Sequence, residues 1–101
     1  MIPTHIKEAL KRNWGEKADS LSCCAEGKLI DSMSSWQCYI YAMDSDEELI
    51  QAILYTKMHG AQTVLMPYAD IHIMFNSNGE NPSIDEEYRR TTLSELLRRL
   101  K

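Results

Sequence analysis

At 101 residues, 44% apolar and 26% charged, the chain is the size of one domain and carries too much apolar surface for a disordered one. No run approaches the ~18 uninterrupted apolar residues of a membrane helix, and Met1-Ile2-Pro3-Thr4-His5 leads into a charged helical pattern instead of an apolar leader, so a cytoplasmic protein is expected. The net charge of −4 is unevenly spread, +2 over residues 1–17, −10 over 18–88 and +4 over 89–101.

Pro3 suits a first helical position, Ile6, Leu10 and Trp14 follow at four-residue spacing, and Gly15 supplies a stop. The spacing predicts a helix over 3–14 with those three side chains buried. From Ser20 to Ile30 the period drops to two, with Leu21, Cys23, Ala25 and Leu29 on one side. Asp31 to Ser35 reads as a turn, and Trp36 to Met43 as a strand rich in residues that suit a pleated surface. These two segments form an expected antiparallel hairpin.

Ser45 and Glu48 have capping-box spacing, with acids in the first turn; Leu49, Ile50, Ile53, Leu54 and Met58 then lie on a helical stripe that ends at Gly60. The pattern predicts a helix over 46–59, with His59 complementing its carboxyl end. Thr63 to Met66 reads as a short strand, Ile71 to Phe75 as another, and Asn78-Gly79 as the reversal that follows. Residues 84–88 fit a short strand or a helical turn. Thr92-Leu93-Ser94-Glu95 is a second capping box, opening a helix that buries Leu93, Leu96, Leu97 and Leu100. The order is α-β-β-α-β-β-(β)-α: one α+β domain over 1–101, with four to five mainly antiparallel strands and about three helices.

Cys23, Cys24 and Cys38 are odd in number and lack framework spacing. They read as packing residues of a reducing compartment, not as a disulfide scaffold. The four glycines are scattered, and there is no Gly-x-Ser-x-Gly, Cys-x-x-Cys, His-x-x-x-His or Asp-rich calcium loop. No cofactor and no metal are expected; a zinc site from His59, His72 and Cys38 would need tertiary coincidence. Asp70 and His72 share one side of the expected strand, the pairing that can orient an imidazole for acid–base work. Tyr39 and Tyr41 share an expected sheet face and could stack bases if exposed, although they sit in the acidic part of the chain.

Lys28-Leu29-Ile30-Asp31, then Ser35-Trp36-Gln37-Cys38-Tyr39 and Met43-Asp44, resemble the hairpin of a domain family common on plasmids and phages that has no assigned activity. Ile84-Asp85-Glu86-Glu87-Tyr88 followed by Thr92-Leu93-Ser94-Glu95-Leu96 resembles that family's ending. The resemblance covers about a third of the chain. It implies a mobile-element setting and supplies no catalytic residue. The family has a strand after its Asp, where residues 46–59 here read as a helix, and Cys38 stands in place of an aromatic.

The leading expectation is a non-enzymatic protein-binding module, a phage- or plasmid-encoded modulator of a host factor. It would dock on a protein partner through a sheet edge or an acidic surface, the latter made of Asp44, Asp46, Glu47, Glu48, Asp85, Glu86 and Glu87 and suited to a basic partner. The second expectation is a nucleic-acid-binding accessory using Arg89, Arg90, Arg98, Arg99 and Lys101 with Tyr39 and Tyr41. The third is a small enzyme around Asp70 and His72. Trp36, Tyr39, Tyr41 and Met43 are the expected patch of any homodimer.

Overall fold

The apolar residues of this chain are sorted onto three layers in the computed structural model, which describes residues 2–15, 20–30, 36–71 and 83–100. The elements in chain order are α1 (Thr4–Asn13), β1 (Cys24–Ala25), β2 (Gly27–Ile30), β3 (Gln37–Met43), β4 (Leu49–Thr56), β5 (Gly60–Pro67), β6 (Ser83–Ile84), β7 (Thr91–Thr92) and α2 (Leu93–Arg99). Five strands form an antiparallel sheet in the order β5-β4-β3-β2-β6, and β1 pairs with β7 in a separate two-stranded ladder. The fold is α+β, as the sequence pattern predicts.

One sheet face packs Leu29, Ile40, Ile50 and Leu54 against Ile2 and Leu10, so α1 and the residues before it cover that side. The other face packs Tyr39, Tyr41, Ala42 and Ile53 against Leu93 and Leu96 of α2, with Cys23 and Ala25 beside them. The sheet is therefore the middle layer. In β3 every residue from Cys38 to Met43 is buried, and a bulge between Ile40 and Ala42 lets the strand keep contact with both layers.

The expected hairpin is present: β2 and β3 pair antiparallel, with Gly27 opposite Ile40 and Ile30 opposite Gln37. In α1, Leu10 is buried and Ile6 packs on the core, but Trp14 is the exposed C-cap residue and not part of the buried stripe. Gly15 follows with φ +92°, the left-handed conformation that ends the helix. The second capping box is half realised, the Glu95 N–H donating to Thr92 Oγ1 at 3.2 Å.

The expected helix over 46–59 is replaced by β4, which runs Leu49–Thr56 and pairs along its length with β5. Two causes act together. Asp44 Oδ1 accepts from the backbone N–H of Glu48 at 2.8 Å and of Leu49 at 3.0 Å, and Glu47 sits at φ +59°. These make a tight reversal between β3 and β4 instead of a helical first turn. Apolar residues also occupy both faces of β4, Ile50, Ala52 and Leu54 on one and Ile53 on the other, which erases the alternation that identifies a half-buried strand.

Two helices stand among the described residues, against about three expected. His59 is not a helix terminus; it lies in the β4–β5 turn, which Gly60 closes at φ +74°. The expected strand of 63–66 is the inner part of the longer β5. Asp70 and Ile71 are helical, which removes the start of the expected strand of 71–75; its remainder and Asn78-Gly79 lie outside the described residues. Residues 83–84 form β6, and a turn follows with the Tyr88 N–H donating to the Asp85 carbonyl at 3.2 Å. No described helix is long and apolar enough to cross a membrane.

Asp44→Ala removes both acceptor contacts of the β3–β4 turn and should lower unfolding free energy by about 1 kcal/mol, read as a lower urea midpoint with unchanged slope. An unchanged midpoint would show that the turn does not depend on this carboxylate.

Candidate functional site: an ionic groove and a bare sheet edge

A groove of about 450 Å³ opens between α1 and the β6–β7 connection. Pro3, Ile6 and Ala9 form one wall, Ile84 and Tyr88 the other, and Gly27 the floor. Glycine leaves room here for two isoleucine side chains: a Cβ would stand 3.2 Å from Ile84 Cδ1, tighter than ordinary contact, and 3.4 Å from Ile6 Cγ2.

The polar lining is mostly engaged within the fold. The Glu26 side chain is 6% exposed; Arg90 Nε donates to its two oxygens at 2.7 and 3.0 Å, and Asn13 Nδ2 donates at 3.3 Å. Asn13 also donates to the Tyr41 carbonyl at 3.0 Å, so one amide ties α1, β3 and the groove together. The Tyr88 hydroxyl donates to the Ala25 carbonyl at 3.0 Å. His5, Glu86 and Arg89 stand on the exposed rim.

The expected acidic surface is split between two places. In the β3–β4 turn, Glu47 bridges Lys7 at 2.8 Å and Lys11 at 2.9 Å, which pins the turn to α1. Asp44 is spent on the turn, while Asp46 and Glu48 are exposed. In the β6–β7 connection, Asp85 pairs with Lys28 at 3.6 Å and accepts from the Glu87 N–H at 3.0 Å, leaving Glu86 and Glu87 exposed. Of the seven acidic residues, Asp44, Glu47 and Asp85 are thus structural contacts first.

Tyr39 and Tyr41 do not form an exposed face. They are 5% and 3% exposed because α2 and its neighbours cover them. The Tyr39 hydroxyl donates to Gln37 Oε1 at 2.6 Å, Lys28 Nζ lies 5.4 Å from its ring centroid, and burial pushes its pKa up to about 12. Met43 is buried as well, so of the expected homodimer patch only Trp36 remains partly exposed. Three of the basic residues are paired at the surface, Arg90 with Glu26 and Arg98 and Arg99 with Glu95, and each arginine side chain stays more than half exposed. Lys101 and His72 lie outside the described residues, and Asp70 is exposed.

His59 stacks on Trp36 with ring centroids 5.8 Å apart. Cys38 is fully buried, which pushes its thiol pKa up to about 12 and makes it a poor metal ligand. Among the described residues no group of three His, Cys, Asp or Glu side chains is placed to hold a metal.

The feature that residue-type searching misses is the outer edge of β5. Gly60 to Pro67 is Gly-Ala-Gln-Thr-Val-Leu-Met-Pro, eight residues without a formal charge. It pairs with β4 on one side, and among the described residues no strand pairs with its other side. Its Leu65 is 60% exposed, and Met58 in the adjoining turn is 86% exposed. The opposite edge is the two-residue β6, followed at once by Asp85, Glu86 and Glu87. The uncharged run was legible in the sequence, but only the sheet order shows that it is an edge.

Two outcomes check this geometry. Gly27→Ala should cost about 1 kcal/mol by crowding Ile84 and Ile6, and Gly27→Val more; equal stability would show that the groove floor has slack. The two lysines hold the Glu47 pKa down at about 2 from its ordinary 4.5. Its stabilising contribution is therefore complete above pH 4.5 and is lost as pH falls through 2. Glu47→Gln should flatten that part of an acid-unfolding profile, and an unaltered profile would remove Glu47 from the fold's acid response.

No family model, curated protein or solved structure matches this chain.

Proposed function

We propose that this chain is a non-enzymatic protein-binding module that takes up an extended polypeptide strand along β5. The observation that carries the reading is the undefended edge: eight uncharged residues at one side of the sheet, against a two-residue strand backed by acids at the other. Natural sheets blunt their edges with short strands, charges or covering segments, because unpaired N–H and C=O groups are a template for another chain. β6 carries such protection, while β5 is uncharged and, among the described residues, no strand pairs with its outer side. In strand addition, main-chain hydrogen bonds supply the affinity and alternate side chains the selectivity. The exposed acids, Asp46, Glu48, Glu86 and Glu87, would then steer a basic partner without forming the docking surface.

The setting proposed is a modulator of a host factor carried on a mobile element. It rests on the resemblance of the 28–44 hairpin and the 84–96 ending. The nucleic-acid alternative loses its stacking platform with the burial of Tyr39 and Tyr41.

A bait of the tagged chain with Leu65→Lys should lose the partner that the unaltered bait retains at physiological salt and after nuclease. A bait with Asp85→Asn, Glu86→Gln and Glu87→Gln should keep it. The reverse pattern would place docking on the acids and overturn the β5 reading.

A further inference from the structure

We propose that the groove between α1 and the β6–β7 connection binds a small organic carboxylate with an apolar body. Its volume of about 450 Å³ falls within the roughly 300–1,000 Å³ of small-molecule sites, which are mostly apolar with a few placed polar groups. The groove lies beside β2 and β6, at the far side of the sheet from β5, so the proposal stands apart from the reading of β5 as a binding strand.

The apolar walls are fixed by contacts of the fold itself. Ile6 and Ile84 both pack against the core and close on Gly27. The Tyr88 hydroxyl donates to the Ala25 carbonyl at 3.0 Å, and its ring centroid lies 5.8 Å from that of Tyr39. Walls held in this way need little ordering when a ligand enters. Ile6, Ile84 and Tyr88 are nevertheless only half-buried, so an apolar body seated among them would remove further apolar surface from water.

The charge of the ligand follows from which lining groups are already paired. Asp85 is matched by Lys28, and the nearly buried Glu26 by Arg90 and Asn13. Among the described residues, that leaves Glu86 as the lining acid whose side chain has no partner. More donors than acceptors remain. The side chains of His5 and Arg89 have no hydrogen bond or ion pair with a described residue, and Arg90 spends only Nε on Glu26. The terminal nitrogens of Arg90 are thus left over, on a guanidinium that a buried carboxylate already holds in place. A surplus of donors calls for an acceptor, and a planar carboxylate matches a guanidinium fork. A phosphate dianion would meet twice the repulsion from Glu86 and Glu26.

NMR titration of the full chain with hydrocinnamate, its alcohol and its amine tests the proposal, since the three share one apolar body and differ in charge. Hydrocinnamate should saturate with a Kd of about 1 mM, moving the signals of Ile6, Gly27 and Ile84. The alcohol should bind at least about tenfold more weakly, and the amine more weakly still. Arg90→Lys keeps a cation beside Glu26 but removes the fork, and should weaken hydrocinnamate about tenfold while leaving the alcohol unchanged. Ala9→Phe should fill the groove and abolish both, with melting curves matching the unaltered chain to exclude misfolding. Equal binding of acid and alcohol would overturn the proposal, and tighter binding of the amine would assign the groove to its acids instead. Shifts centred elsewhere, or no saturable binding, would overturn it too. None of these outcomes bears on capture through β5, which the Leu65→Lys bait reads separately.

Discussion

The structure depends on burying both faces of β3 and β4. Once Ile40 and Ile50 face α1 while Tyr41 and Ile53 face α2, neither helix is optional, because each covers apolar area that the other cannot reach. At about 25 cal/mol per Å² of apolar surface removed from water, this two-sided burial is the dominant favourable term. The polar contacts fix geometry around it. The bulge between Ile40 and Ala42 belongs to the same constraint, as it adds a residue to β3 just where both layers press on it.

That constraint also explains the limits of sequence reading here. α1 is visible because a surface helix buries one stripe, and α2 because Thr92 and Glu95 mark its start and leucines follow. The β2–β3 hairpin is visible from its alternation and β-forming residues. β4 is not, because a strand buried on both sides has no alternation. Leu49, Ile50, Ile53 and Leu54 imitate a helical stripe, and Asp44 to Glu48 imitates a helix start. The deciding contacts are Asp44 with the N–H groups of Glu48 and Leu49, and β4 with β5, whose composition alone gives no sign of its partner.

The charge asymmetry along the chain resolves within the fold. The basic amino-terminal segment meets the acidic middle where Lys7 and Lys11 grip Glu47. Lys28 meets Asp85, and Arg90 meets the nearly buried Glu26. The more exposed of these pairs, those of Glu47, contribute only about 0–1 kcal/mol each, so they select arrangement more than they supply stability. Glu47 shows the logic well. A side chain at positive φ costs roughly 1–2 kcal/mol, and a glutamate is retained there in contact with two lysines of α1. A candidate acidic surface was legible as composition, but which of its carboxylates are already engaged depends on which helix packs over which turn.

The two edges of the sheet complete the argument. After Ile84 the chain leaves the sheet, and Ile84 and Tyr88 line the groove. Acids follow immediately, and that edge is closed to further pairing. β5 is long because its register with β4 is unbroken from Gly60 to Pro67, with no bulge, charge or internal proline to interrupt it. One edge has thus been surrendered to the groove, and the other kept straight and neutral. Among the described residues, one edge is a two-residue strand followed by acids and the other an eight-residue strand without charge, so the surface has a direction, and it points at β5.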